Sequence, residues 1–415
     1  MVNSIIGSGV FGLPSVLAGL VGRASPSAVL LGGAAVGIII ACFAEVASQF
    51  TAAGGPYLYA RIAFGRFMGI EMGWMLWLAQ LAAPAANANL FVTYLGEFWP
   101  RAIYPAPRFV ILTLLVGILA AVNYRGVRAG TEVSNLFTIA KLLPLGVVIV
   151  AGTFYLFHIH GRPPVSWPIA DGSAWLKAML LLVFAYGGFE TALTPMSEAT
   201  DPRRDTVFAL FVAWFICTLL YSVIQWIVIG TLPDPAHNTR PLADVARLVL
   251  GRSGAALVTI GALISFYGYL SAKILGVPRV TFALAEDGDL PSIFAAIHPR
   301  FRTPYGSILV FAFFVWLLSL LGTFSWNLTL SAVARLFYYA VGCAALPALR
   351  RKQPQAALFR LPGGTALAAL SVLICLILVT QVDLSQSPIL IATIIIGVLN
   401  WLAVRRRRPT QTASA

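Results

Sequence analysis

Charge is scarce in this chain. Of 415 residues only 10% are Asp, Glu, Lys or Arg, where an ordinary soluble domain carries roughly 25%. With 59% hydrophobic residues and a mean hydropathy of +0.86, that excludes a soluble fold. Acid is scarcer than base, with 15 Asp and Glu against 28 Lys and Arg and a net charge of +13. Such a balance would suit nucleic acid, but the basic residues are dispersed through loops between apolar runs. A charge bias of membrane loops accounts for them better, so membrane lipid is an expected partner and nucleic acid is not. Cys42, Cys217, Cys343 and Cys375 stand far apart, each within or beside an apolar stretch, which indicates neither a disulfide framework nor a metal site. His158 and His160 are the only close histidine pair, in an expected loop with no Cys, Asp or Glu beside them, and they read as solvated. The apolar spans hold no His/Asp/Glu cluster at metal spacing and no nucleophile–base–acid set. Neither an enzyme nor a metal or cofactor is expected.

What the chain has is apolar length. Spans need about 20 apolar residues each, and about twelve are expected, near 1–20, 27–47, 67–97, 108–123, 132–157, 174–196, 206–230, 254–283, 304–322, 326–348, 364–381 and 387–404. The loops are short and punctuated by Pro, Gly and Arg, with no soluble domain. Arg61, Arg66, Arg125, Arg128, Arg203, Arg204, Arg300, Arg302, Arg350, Arg351, Lys352, Arg360 and Arg405 to Arg408 all fall on one side, which should be cytoplasmic. Opposite loops carry fewer basic residues, among them Arg23, Arg101, Arg162, Arg240 and Arg252. Both termini are expected in the cytoplasm of a multi-pass plasma-membrane protein, the bacterial inner membrane.

Two of the runs are interrupted in corresponding places. The first breaks at Ile6-Gly7-Ser8-Gly9-Val10-Phe11-Gly12, closed by Pro14, and the sixth at Phe184-Ala185-Tyr186-Gly187-Gly188-Phe189-Glu190, with Pro195 beyond. Glycine weakens a helix by roughly 1 kcal/mol relative to Ala, and the backbone groups freed there must face protein or a water-filled cavity. Paired breaks of this kind point to a transporter's substrate site; close packing through small residues is the competing explanation. The N–H groups starting the second half-helix, around Ser8, Gly9 and Val10, favour an anion. The carbonyls ending the other, around Phe184, Ala185 and Tyr186, favour a cation. Together they suit a zwitterion such as an α-amino acid, with glycine at 7, 9, 187 and 188 allowing close approach. The middle of the third span, from Ala82 to Asn89, offers no charge partner and argues for a neutral substrate. Only six residues precede Gly7, about 9 Å of helix, where a half-helix needs roughly 15 Å. The chain is therefore expected to start late, through truncation or a misplaced start.

These residues carry a family resemblance. Ile6-Gly7-Ser8-Gly9-Val10-Phe11-Gly12-Leu13-Pro14 resembles the first-helix signature of the amino acid–polyamine–organocation transporters. Phe43-Ala44-Glu45, Ala53 to Tyr59, Asn123 to Val127, the second break, Gly276 to Arg279 and His298 to Pro304 are similar again, covering residues 5 to about 365. The resemblance implies an all-α membrane protein of ten core helices in two inverted five-helix repeats, with discontinuous helices 1 and 6 and two C-terminal helices. The divisions would be a first repeat over 1–157, a loop over 158–173, a second repeat over 174–349, a cytoplasmic linker over 350–363, two helices over 364–404 and a basic tail over 405–415. It further implies alternating access for amino acids. Ser8 and Gly9 would take the carboxylate, the Ile5, Phe184, Ala185 and Tyr186 carbonyls the amine, and Tyr186 and Phe189 would gate.

Ionisable residues inside the spans are candidates in their own right. Glu45 and Glu198 are expected to pair with loop arginines, and Glu71 and Glu97 to reach water. Glu190 either pairs with a cation or caps the new half-helix. Lys273 is a secondary coupling candidate, while Arg335 cannot release a proton and reads as structural. Lys141 lies inside the fifth span, roughly 10 Å past its start. Burial makes the charged form of an amine costly, so it can exchange a proton as the site alternates. The resemblance implies that its ammonium sits against the broken first helix, where sodium-coupled relatives hold an ion; backbone carbonyls freed at that break could equally hold a structural lysine. The expected function is amino-acid transport coupled to protons or run as exchange. A polyamine or organic-cation carrier, which would want several acidic residues at the site, and a non-transporting sensor of the same fold are the alternatives.

Overall fold

The computed structural model describes residues 2–51, 54–126, 131–158, 170–193, 201–382 and 384–405. Among the described residues the regular elements are helical and no strand occurs. The first apolar run is two pieces, α1 (Val2–Ile5) and α2 (Gly9–Val21). A turn at Gly22, φ 57°, leads into α3 (Ser25–Ala47). Next come α4 (Gly55–Phe64), α5 (Arg66–Leu95), α6 (Pro105–Arg125) and α7 (Thr131–His158). The sixth run is again two pieces, α8 (Gly172–Tyr186) and α9 (Phe189–Ala192). The chain continues through α10 (Pro202–Thr231), α11 (Pro241–Glu286), α12 (Tyr305–Leu321), α13 (Phe324–Lys352), α14 (Gly364–Val379) and α15 (Ser387–Val404).

Starts are set by chemistry in the sequence. Proline stands in the first turn of α3, α4, α6, α10, α11 and α15, where its missing N–H is no loss. Asp171, Asp201 and Thr323 cap α8, α10 and α13 through their side chains. The Ala174 N–H on Asp171 holds that exposed carboxyl below its ordinary range, helped by the Ser173 hydroxyl.

Among the described residues nine helical stretches are long and apolar enough to cross a membrane, and α12 and α14 are shorter apolar helices. One of the nine, Gly9–Ala47, is α2 and α3 together. Each expected span is thus met by a helix or a broken pair. Differences lie where helices are amphipathic rather than apolar throughout. Residues 55–64 form α4, where a loop was expected. The helix before the eighth span begins at Pro241, not 254; Gly251, at φ 74°, bends it. Residues 241–250 bury Leu242, Val245 and Ala246 on one face, the i, i+3, i+4 pattern of a surface helix. Helix α7 reaches His158, whose exposed ring stacks on Phe154. Helix α13 runs to Lys352, into the expected linker. Arg128, His160, Arg162, Pro195, Glu198 and residues 406–415 lie outside the described residues.

Helices α5 and α13 pack along the centre, and α5 is the most enclosed span. At the arginine-rich end, buried Asp289 accepts from Arg61 at 2.9 Å, Arg66 at 2.6 Å and the Tyr57 hydroxyl. Arg66 also reaches the Val404 carbonyl at 3.1 Å, tying α4, α5 and α15 together. Glu45 pairs with Arg350 through two bonds of 2.6 and 2.7 Å and accepts the Leu361 N–H at 2.8 Å. At the other end Glu97 pairs with Arg247, and with Arg240 at 3.5 Å. Glu71 does not reach water. It is buried against Gly397 of α15, and neither oxygen has a hydrogen-bond partner among the described residues.

Candidate functional site

The two breaks lie side by side, α1 against α9 and α2 against α8. The first spans Ile6, Gly7 and Ser8; the second is Gly187 and Gly188, the latter left-handed at φ 113°. A Cβ on Gly9 would sit 3.3 Å from the Ala185 Cα, so the start of one half-helix abuts the end of the other. The first N–H groups of a helix have no intrahelical acceptor, and those of α2 carry the positive end of its dipole. Phe11 and Gly12 return their N–H groups to the Ser8 carbonyl, both at 3.1 Å. The Ser8 hydroxyl is fully buried and has no partner among the described residues.

Of the facing carbonyls, those of Ile5, Phe184 and Ala185 are occupied. Tyr221, on α10, donates its hydroxyl toward both Ile5, at 3.3 Å, and Ala185, at 3.1 Å. Phe184 accepts the Gly187 N–H at 3.2 Å, and the Tyr186 hydroxyl donates to the Val29 carbonyl at 2.9 Å. Lys141 Nζ donates to the Ile6 carbonyl at 2.5 Å; the lysine is buried and sits against the first break. Between Gly9, Leu13, Ala185 and Tyr221 a space of about 20 Å³ remains, room for about one water. The breaks are closed on each other in this conformation.

Beyond the second break stands a buried ion pair. Glu190, fully buried, accepts from the Arg335 guanidinium, from the Tyr338 hydroxyl at 2.8 Å, the Tyr339 hydroxyl at 3.1 Å and the Gly188 N–H at 2.8 Å. It therefore pairs with a cation and caps the half-helix at once. The glycines serve this arrangement. A Cβ on Gly187 would lie 1.9 Å from an Arg335 nitrogen, and one on Gly188 would lie 2.2 Å from the Ser4 carbonyl oxygen. At these two positions protein atoms, not a ligand, make the close approach. Gly7 is different, since a Cβ there meets the Tyr269 ring at 3.6 Å and the Ile5 carbonyl oxygen at 4.0 Å, both ordinary contacts. Of the two residues expected to gate, Tyr186 leans on Tyr221 at 5.5 Å, and Phe189 stacks on Tyr339 at 5.2 Å within a ring cluster that includes Phe43.

Lys273 lies in α11, one turn past Tyr269. Its ammonium donates to Gln80 at 2.8 Å and Thr191 at 3.2 Å, and the Gln80 amide donates to Thr191 at 2.8 Å. A cavity of about 480 Å³ opens beneath them toward the arginine-rich end. Tyr221, Gln225, Gln80 and Thr191 were not among the sequence candidates. Tyr221 and Gln225 are polar groups one turn apart inside an apolar span, a pattern that marks helix-bridging contacts; Gln225 bonds the Pro14 carbonyl at 3.0 Å and the Ser25 hydroxyl at 2.8 Å.

Two facing broken helices at the centre of a polytopic bundle define a membrane carrier rather than an enzyme. The chain belongs to the amino acid permease family, whose model matches residues 1–400. It is 30% identical to the serine/threonine exchanger SteT of Bacillus subtilis, over 74% of this chain and 71% of that protein. It is 25% identical to that organism's branched-chain amino acid permease BcaP, over 98% and 91%. It is 26% identical to the same organism's methylthioribose transporter, over 90% and 84%. The protein is thus a multi-pass membrane protein of a transporter family.

Proposed function

We propose that this protein carries neutral amino acids across the membrane by alternating access, with its arginine-rich end in the cytoplasm. The observation that carries the reading is the abutment of the α2 start on the α8 end, where a Cβ on Gly9 would sit 3.3 Å from the Ala185 Cα. When the halves part, Ser8 and Gly9 bind the substrate carboxylate. The Ile5, Phe184, Ala185 and Tyr186 carbonyls bind the ammonium, with the Tyr221 hydroxyl released from two of them. The buried alanines of α5, Ala82, Ala83, Ala85 and Ala86, suit an uncharged side chain. So do the relatives named for serine/threonine and branched-chain amino acids. Two five-helix repeats, related by inversion, give each break its counterpart.

Lys141 couples transport to protons. Its ammonium holds the Ile6 carbonyl, so its protonation state bears directly on the first break. Uptake into proteoliposomes with labelled amino acids, and methylthioribose as a further arm, tests the substrate class. Uptake of a neutral amino acid is expected, with amides and N-acylated analogues excluded; equal binding of either analogue sinks the two-ended site. Gly9→Val fills the approach and is expected to abolish binding. Lys141→Ala is expected to lose pH-driven accumulation while sodium stays without effect. Unchanged pH-dependent uptake rules Lys141 out.

A further inference from the structure

The cavity beneath Lys273 has the size of a small-molecule site, about 480 Å³. Its walls come from α5, α9, α11 and the turn at 292–295. Three rings on one side stand edge to face: Trp74 and Trp77 at 5.6 Å and 84°, Trp77 and Phe294 at 6.0 Å and 68°, Trp74 and Phe294 at 6.3 Å and 69°. Such a corner favours a flat aromatic body, which meets ring edges with its face. The closed end is polar and cationic. The Lys273 ammonium has three donors; two go to Gln80 and Thr191, and the third has no hydrogen-bond acceptor among the described residues. Arg279 adds a second positive charge to the lining, and among the described residues no Asp or Glu lines the cavity. Glu190, the nearby acid, is engaged by Arg335.

We propose that this cavity is a second ligand site, for an aromatic monocarboxylate that lacks an α-amino group. The carboxylate takes the free donor of Lys273 and the aromatic body fills the Trp74–Trp77–Phe294 corner. An α-ammonium would face Lys273 and be repelled, so this ligand chemistry is separate from that of the breaks. Because Thr191 belongs to α9, an occupant bridging Lys273 and Thr191 holds that half-helix in place and arrests transport. The arrest rests on the proposed carrier function; the binding does not.

Calorimetric titration of the full chain in detergent with 2-naphthylacetate tests the binding. Saturable binding is expected, with 2-naphthylmethylamine, the same body with the opposite charge, at least tenfold weaker. Lys273→Gln and Trp77→Leu are each expected to weaken the acid at least tenfold, while Gly9→Val leaves it unchanged. In proteoliposomes the acid should inhibit amino-acid uptake, and more amino acid should not restore it. Equal binding of the amine to the wild-type chain overturns the proposal without any variant. Loss of acid binding in Gly9→Val, or inhibition relieved by amino acid, places the ligand between the breaks and also overturns it. Absence of acid binding in a protein that takes up amino acids defeats this inference alone. Acid binding in a protein with no amino-acid uptake defeats the carrier function alone.

Discussion

At the second break the backbone is held by a buried ion pair, two tyrosine hydroxyls and two glycines whose missing side chains are filled by Arg335 and Ser4. At the first break the carbonyls are held by one lysine and one tyrosine, and the Ser8 hydroxyl has no partner among the described residues. The same interruption of a helix is therefore built in two ways. A neutral hydrogen bond contributes about 1 kcal/mol net and one from a charged donor about 1.5–3 kcal/mol, whereas removing one partner of a buried ion pair costs about 3–5 kcal/mol. The second break is the more firmly held of the two. The first can exchange its partners at smaller cost, which suits the proposed binding of a carboxylate at Ser8 and Gly9 and the proposed release of a proton from Lys141.

The contrast breaks most directly at Arg335. Arg335→Met leaves Glu190 buried and unpaired, and is expected to lower stability by about 3–5 kcal/mol, read by thermal or denaturant unfolding in detergent. Adding Glu190→Gln should recover part of the loss. A single-variant cost under about 1 kcal/mol would show that the pair does not fix the break.

Glycine substitutions sharpen the same contrast. Gly188→Ala forces a Cβ into a left-handed position and onto the Ser4 carbonyl, at an expected cost of about 2–3 kcal/mol. Gly7→Ala meets only ordinary contact with Tyr269, and should change stability by under about 1 kcal/mol while weakening amino-acid binding. Equal losses in folded yield for the two variants would erase the distinction.

Glu71 is the counterpart to Glu190, a buried carboxylate with no hydrogen-bond partner among the described residues. An unsatisfied buried polar group costs about 1–3 kcal/mol. Glu71→Met, similar in length and apolar, is expected to raise stability by that order, with transport unchanged. A destabilised Glu71→Met protein would show that the carboxylate has a role in the α5–α15 contact.

The breaks themselves were legible because glycine pairs inside apolar runs are a local signal, and the twelve spans because apolar length is one too. Residues 55–64 and 241–250 were missed as helices because amphipathic segments between spans lack that length. The partner of Glu190 was not legible. Arg335 lies 145 residues away, and no periodicity links two residues across a bundle. Gly187 and Gly188 carried the right backbone message, but their close contacts are with Arg335 and Ser4. Only the fold supplies those atoms. Lys141 was legible as a buried amine, and its acceptor at Ile6, a carbonyl of the first break, suits a structural lysine as well as the position that the family resemblance implied.

A small effect is also expected at Tyr221, whose hydroxyl reaches both breaks. It donates toward the Ile5 carbonyl at 3.3 Å and the Ala185 carbonyl at 3.1 Å. One proton cannot fully satisfy two acceptors, and the longer bond is the weaker. Tyr221→Phe keeps the ring that packs on Tyr186 and removes only this tie, so the loss of stability should be about 0.5–1.5 kcal/mol. The consequence for binding has the opposite sign. In the closed state the hydroxyl occupies two of the carbonyls proposed to take the substrate ammonium, so on that proposal removing it favours separation of the halves. Tyr221→Phe should therefore bind amino acid somewhat more tightly while unfolding slightly more easily, both read on the same purified protein. Weaker binding in the variant would mean that the hydroxyl belongs to the substrate's own shell and stays engaged when the breaks part.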